Sequence, residues 1–346
     1  MARYLVLVFF LFQNFYFMSG HALAAHPLAV ENSQNGSDRL AFSDPHIKSP
    51  VSSDWAKPIA YDKKVSADVD LVISLGKQMY PLVKDYVEQY AKKNGLKIVL
   101  QSGSCGVTAK KLMKQQIDIG GYCCPPAYTD RLPGLEFHTI AIAPLVLITH
   151  PNNPVTNLSL SEARDIFQGA IRNWSDVEDI GETDNFAKKI QPIARLHCKV
   201  RPGHWRLLLQ NEDLFSPELA SVGVISDMIS KVGKSKKMIG YETIFMVQQH
   251  RDKGEVKILK VDGHDPANLD NVKNGKYPFY RTYNLTAWIN DKDYQASLQL
   301  IEGIKSYVNS QHKSLGFVPV SQLKAAGWGF SENEVVAEPE SFLTLK

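Results

Sequence analysis

From Asp70 onward, short apolar runs alternate with stretches of helical spacing. Asp70 to Ser74 (DLVIS) reads as a buried strand. Leu82, Val83, Tyr86, Val87 and Tyr90 then recur at helical intervals between Tyr80 and Lys93. Asn94-Gly95 ends that helix. Leu96 to Gln101 predicts a second strand, Val107 to Gln116 a second helix, and Ile117 to Gly121 a third strand. Strand, helix, strand, helix, strand argues for a parallel α/β sheet. Phe137 to His150 holds two apolar runs broken at Pro144. Ser159 to Phe167 opens on a Ser and carries Glu162 three residues later, the pattern of a capping box. Further strands are expected at Ile193 to His197, Met238 to Tyr241 and Val256 to Val261, with a tail strand and turn at Ser314 to Pro319. Helices are expected at His204 to Gln210, Val222 to Ser235 and Tyr294 to Asn309.

The N-terminus has a different texture. Arg3, an apolar stretch from Tyr4 to Met18, and Ala22-Leu23-Ala24 form a secretory signal peptide over residues 1–24. The expected location is therefore periplasmic or secreted. Residues 25–64 are rich in Ser, Asn, Pro and His without periodicity and read as an extended leader or linker. A chain of 346 residues has room for two domains or lobes. With 39 Lys+Arg against 36 Asp+Glu and no basic block, nothing points to nucleic acid. Aliphatic and aromatic residues are too plentiful for disorder, and four cysteines too sparse for a disulfide miniprotein.

Several segments, in order, carry a resemblance. They are Ile73 to Leu82 (ISLGKQMYPL), Ser102 to Gly106 followed by Lys110-Lys111-Leu112, and Ile117-Asp118-Ile119-Gly120. Leu160-Ser161-Glu162, Ile166-Phe167-Gln168-Gly169 and Arg172-Asn173-Trp174-Ser175-Asp176 form the most specific stretch. Ile239-Gly240-Tyr241 and Asn274 to Pro278 with Arg281 complete it. Over about residues 68 to 325 the chain resembles the phosphate-type periplasmic solute-binding proteins of bacterial ABC importers. The resemblance implies a type 2 periplasmic-binding fold of two α/β lobes, each a mostly parallel sheet flanked by helices. Lobe one would be residues 65–143 plus 256–346 and lobe two 144–255, with the ligand in the cleft between them. It also implies binding without catalysis, no required cofactor, and an ABC permease or membrane sensor as partner. The protein is expected to be monomeric.

In such a cleft, loop hydroxyls, backbone N–H groups at helix N-termini and an arginine fork would hold the oxyanion. The residues placed there by the resemblance are Gly76, Lys77, Gln78, Ser102, Ser104, Cys105, Gly106, Asp118, Arg195, Arg201 and Gly203. The departures are pointed. The first loop reads Gly76-Lys77-Gln78 instead of offering hydroxyls, and the third strand ends in Tyr122-Cys123-Cys124 instead of serines. The third loop, expected to carry Ser-Gly-Thr, reads Pro202-Gly203-His204. All four cysteines fall in or beside expected cleft loops. Two readings of them stay open: disulfides, with Cys105 bonded to Cys123 or Cys124, or capture of a soft metal or metalloid by Cys105, Cys123, Cys124, Cys198, His197 and His204. A secreted thiol enzyme using His197 or His204 is a third class, but no orienting group stands out for it.

Overall fold

A computed structural model describes residues 42–53, 55, 68–178, 180, 189–196, 208–209 and 212–340. The expected signal peptide and most of the leader lie outside the described residues, as do His197, Cys198, Arg201, Gly203 and His204 and most of the helix expected at His204 to Gln210.

The opening alternation folds as the periodicity predicts. Strand β1 (Leu71–Gly76) leads to helix α1 (Tyr80–Asn94), β2 (Ile98–Gly103), α2 (Cys105–Met113) and β3 (Ile119–Tyr122). Gly95 closes α1 in the left-handed conformation, at φ 66°, which glycine adopts without a Cβ penalty. All six residues of β1 are buried, which is why it reads as an unbroken apolar run.

Next comes β4 (Leu135–Thr149), one strand of 15 residues where two runs broken at Pro144 were expected. Pro144 sits where β4 changes partner: Tyr280 is opposite Pro144, and Thr243 is opposite Leu145. A residue without an N–H is tolerated at such a changeover. Then follow β5 (Asn157–Leu158), α3 (Leu160–Gln168), β6 (Gln191–Ala194), β7 (Ala220–Ser221), α4 (Ile225–Lys234), β8 (Met238–Thr243) and α5 (Ile244–Gln249). The capping box on α3 is present: Ser159 Oγ accepts from the Glu162 N–H, and Glu162 accepts from the Ser159 N–H.

The last part holds β9 (Lys257–Ile258), β10 (Lys260–Val261), α6 (Leu269–Lys273), β11 (Tyr280–Trp288) and α7 (Tyr294–Leu315). It ends with β12 (Val318–Pro319), α8 (Val320–Ala325), β13 (Gly329–Ser331) and β14 (Glu334–Ala337). The expected tail strand is thus shortened, because α7 runs on to Leu315 and stops at Gly316. β11 is buried along its whole length yet carries Arg281, Thr282, Asn284 and Thr286. Those polar residues hide it from a reading based on apolar runs.

The main sheet runs β2-β1-β3-β11-β4-β8-β6-β7. β1, β2 and β3 are parallel to one another, as are β6, β7 and β8. β11 and β4, antiparallel to each other and to their outer neighbours, join the two groups. This is the mixed α/β, two-lobed arrangement. Residues 257–261, expected with the first lobe, pair instead with the far end of β4 and with β5.

The described part of the leader lies on this body. Phe42 and Ser49 are buried, Ser43 Oγ donates to the Pro126 carbonyl, and Trp55 Nε1 donates to the Met113 carbonyl. Among the described residues no helix is long and apolar enough to cross a membrane.

Candidate interlobe site

Parallel α/β sheets bind ligands at the carboxyl ends of their strands, where the following helices begin. β1 and β2 end in register, with Gly76 opposite Gly103. Past Gly76 come an exposed Lys77 and a buried Gln78, then the first turn of α1. Past Gly103, Ser104 caps α2, its Oγ accepting from the Val107 N–H at 3.2 Å. Ser102 and Gly106 are exposed beside it. The structure therefore gathers Gly76, Lys77, Gln78, Ser102, Ser104, Cys105 and Gly106 at one edge, at two helix N-termini whose partial positive charge suits an anion.

Arg195 reaches the same edge from β6 through a residue the sequence did not mark. Its Nη2 lies 2.9 Å from Oε1 of Glu242 on β8, a carboxylate with no exposed surface. Glu242 Oε2 accepts from Gln78 Nε2 at 2.9 Å, and Gln78 Oε1 accepts from the Tyr283 hydroxyl at 2.8 Å. One ion pair and two hydrogen bonds thus link Arg195, Glu242, Gln78 and Tyr283 across the two strand groups. Glu242 directly follows Ile239-Gly240-Tyr241, so the resemblance had come within one residue of it. Tyr283 was missed along with β11. A register shift between Tyr283 and Asn284 breaks the β11–β4 ladder there, a bulge of the kind that re-aims side chains near sites.

Arg281, two residues before Tyr283 on the same face of β11, is buried and donates from Nη1 to Cys124 Sγ at 3.8 Å. Burial opposes its charge, but Cys124, Cys123 and Glu242 outweigh that and raise its pKa. Burial also raises the Tyr283 hydroxyl well above the usual tyrosine value, so that hydroxyl stays a donor.

Asp118 corrects an expectation. It precedes β3 and accepts from the Val72 N–H at 2.6 Å, near the start of β1. The binding edge is at the other end of that strand, so the Asp118 carboxylate stands apart from it and ties β1 to β3.

Three of the four cysteines come together. The sulfurs of Cys105, Cys123 and Cys124 all lie within 4.8 Å of one another, with Cys105 and Cys123 at 3.6 Å and unbonded. Cys105 begins α2 and is half-buried, while Cys123 and Cys124 are buried just beyond β3. Hydrogen bonds to Cys105 and Cys124, with burial, push the Cys123 thiol well above its ordinary value. The contact with Cys105, reinforced by burial, raises Cys124 to about 12. The unfolded Cys124 thiol, at its ordinary value of 9.0, ionises first as pH rises. Its contribution to stability is therefore complete below pH 9 and lost between about 9 and about 12. Urea midpoints measured at about pH 8 and about pH 10.5 should fall less in Cys124→Ala than in the native chain. Equal losses would show that this thiol is not held protonated.

The family model described as the PBP superfamily domain matches residues 62–287. The phosphate-binding protein PstS of Bacillus subtilis (strain 168) is 24% identical over 274 residues, which cover 75% of this chain and 83% of that protein. PstS of Staphylococcus epidermidis is 23% identical over 246 residues, covering 68% and 73%. Among solved structures, an ABC-type phosphate transport receptor from Vibrio cholerae superposes with a TM-score of 0.58 at 20% identity, covering 72% of this chain and 99% of the receptor. A putative phosphate ABC transporter substrate-binding protein from Clostridium perfringens, solved with bound phosphate, gives 0.57 at 20% identity over 72% and 99%. The strand order, the edge where two helix N-termini meet buried arginines, and a family match over most of the fold agree: the chain belongs to the PBP superfamily and resembles its phosphate-type solute-binding members.

Proposed function

We propose that this protein is an extracytoplasmic solute-binding protein that captures a phosphate-like oxyanion between its two strand groups and presents it to an ABC permease. One observation carries the reading. Two buried guanidinium groups, Arg195 and Arg281, stand with the first turns of α1 and α2 at one edge of the sheet. Guanidinium forks and helix N-termini share a preference for compact oxyanions. The likeness to phosphate-binding proteins supports the same ligand class.

In this reading Glu242 is the internal stand-in for the ligand. Its carboxylate accepts from Gln78 on one side and pairs with Arg195 on the other. An entering oxyanion takes over those donors and Glu242 withdraws, so capture is an exchange of anions. Binding involves no covalent step.

The test is equilibrium binding of inorganic phosphate, arsenate and sulfate to the purified mature chain. Phosphate should bind saturably, and Arg281→Met should weaken it by about tenfold to a hundredfold, the value of one charge-assisted hydrogen bond. Unchanged phosphate affinity in a folded Arg281→Met variant would remove that arginine from the site. Absence of binding by all three anions would sink the oxyanion reading.

A further inference from the structure

The thiol cluster is not needed to hold an oxyanion, since neutral buried thiols are poor donors. It nevertheless has the form of a built site. Three sulfurs, one from the start of α2 and two from just beyond β3, converge within 4.8 Å of one another. A Cβ added at Gly76 would stand 3.3 Å from Cys105 Sγ and 4.0 Å from Cys123 Sγ. The bare Gly76 backbone therefore lets the first loop close over the sulfurs, where any side chain would crowd them. Cys105 alone of the three is half-buried, and it opens the cluster toward the exposed Ser102 and Gly106 at the start of α2.

Soft ligands select soft centres, and three sulfurs select a centre content with three neighbours. Zinc prefers four, and among the described residues no histidine, carboxylate or fourth thiol joins this group. Charge narrows the choice further. Three thiolates around monovalent copper leave a net charge of about −2, and around zinc about −1. A buried anion must be offset, and Arg281, the cation in contact with Cys124, offsets one charge, which leaves the copper centre uncompensated. A trivalent metalloid bound by three thiolates is uncharged.

We propose that Cys105, Cys123 and Cys124 form a three-sulfur site for a trivalent metalloid delivered as its neutral hydroxide, arsenite or its antimony analogue. The step balances without redox change. Three As–O bonds and three S–H bonds break, three As–S bonds form, and each hydroxide leaves as water with a thiol proton. Arsenic stays trivalent throughout. The thiol site adjoins the oxyanion edge at Gly76 and Arg281, but the three sulfurs can take the metalloid whether or not the oxyanion reading holds.

The experiment uses the mature chain, purified without reductant and then reduced anaerobically. Arsenite is added, unbound arsenic is removed by gel filtration, and arsenic per chain is measured alongside X-ray absorption. One arsenic per chain with three sulfur neighbours is expected. Cys105→Ser changes only the half-buried thiol, so the fold should survive. That variant should retain at least tenfold less arsenic, and Gly76→Ala should also weaken retention. Cys123→Ala and Cys124→Ala, checked by circular dichroism, should behave like Cys105→Ser. No retention by the native chain would overturn the proposal. So would full retention by Cys105→Ser, preferential retention of copper or zinc in competition, or a Cys105–Cys123 disulfide that mild reduction does not open. Phosphate titration of the same samples reports separately on the oxyanion site.

Discussion

Replacing Glu242 by alanine should cost about 3–5 kcal/mol of stability in phosphate-free buffer, the usual penalty for stranding a buried ion-pair partner. Arg195 loses the carboxylate 2.9 Å away, and Gln78 loses its acceptor at the same distance. The defect should then be repaired by ligand. If an oxyanion takes the place of the Glu242 carboxylate, added phosphate should raise the melting temperature of Glu242→Ala more than that of the native chain. Phosphate affinity should rise as well, because the internal competitor is gone. The linkage is simple: a ligand that binds only the folded state stabilises it by RT ln(1 + [L]/Kd), so a lower Kd appears directly as a larger thermal shift. Equal shifts in the two proteins would mean that Glu242 and phosphate do not share donors. Glu242→Gln separates charge from shape, since it keeps the hydrogen-bond acceptor for Gln78 but removes the anion. It should also bind phosphate more tightly, with a smaller loss of stability than the alanine variant.

The legible parts of this chain are those whose physics is local. The helical stripe of α1, the capping box Ser159/Glu162 and the parallel opening β1-β2-β3 follow from spacing alone. The unread parts depend on partners distant in sequence. β11 hides because its polar residues are satisfied across the sheet: Asn284 Oδ1 accepts from Thr139 and Thr286 Oγ1 accepts from the Gly120 N–H. Pro144 suggested a break, yet it marks a change of strand partner inside one continuous strand.

The site shows the same division. Gly76, Gln78, Ser104 and Cys105 were expected at the cleft through the resemblance, and in the structure they lie where strand ends meet helix starts. Convergence of Cys105 with Cys123 and Cys124 was also legible once three strands were aligned in parallel. Glu242 and Tyr283 could not be found this way, because a buried carboxylate is recognised only by the groups that neutralise it. Asp118 was misassigned for a related reason. A conspicuous acid on a strand next to the cleft faced the wrong end of the sheet, where its partner is a backbone N–H.

The second large effect lies far from this chemistry in purpose. Arg131 is buried, and its two terminal nitrogens meet both Glu334 oxygens at 2.9 and 2.7 Å. It also donates to the Ser43 side chain and carbonyl, and its guanidinium lies 5.8 Å from the Phe137 ring centre. One side chain therefore ties the described leader, the start of β4 and the β13–β14 hairpin together. Arg131→Met should destabilise the chain by about 3–5 kcal/mol, because Glu334 is left as a buried charge with its fork partner removed. An exposed pair such as Lys84–Glu88 should change stability far less when broken, despite its 3.3 Å separation. The fork adds a second hydrogen bond, but most of the difference comes from desolvation. The double variant Arg131→Met/Glu334→Leu should recover much of the loss, since two apolar groups of similar size leave no charge to bury. Urea unfolding of the three variants measures all of this, and phosphate binding should be unchanged in each folded protein. A midpoint for Arg131→Met equal to that of the native chain would show that the fork contributes nothing. A double variant as unstable as the single one would show that the leader contacts, and not the buried charge, carry the effect.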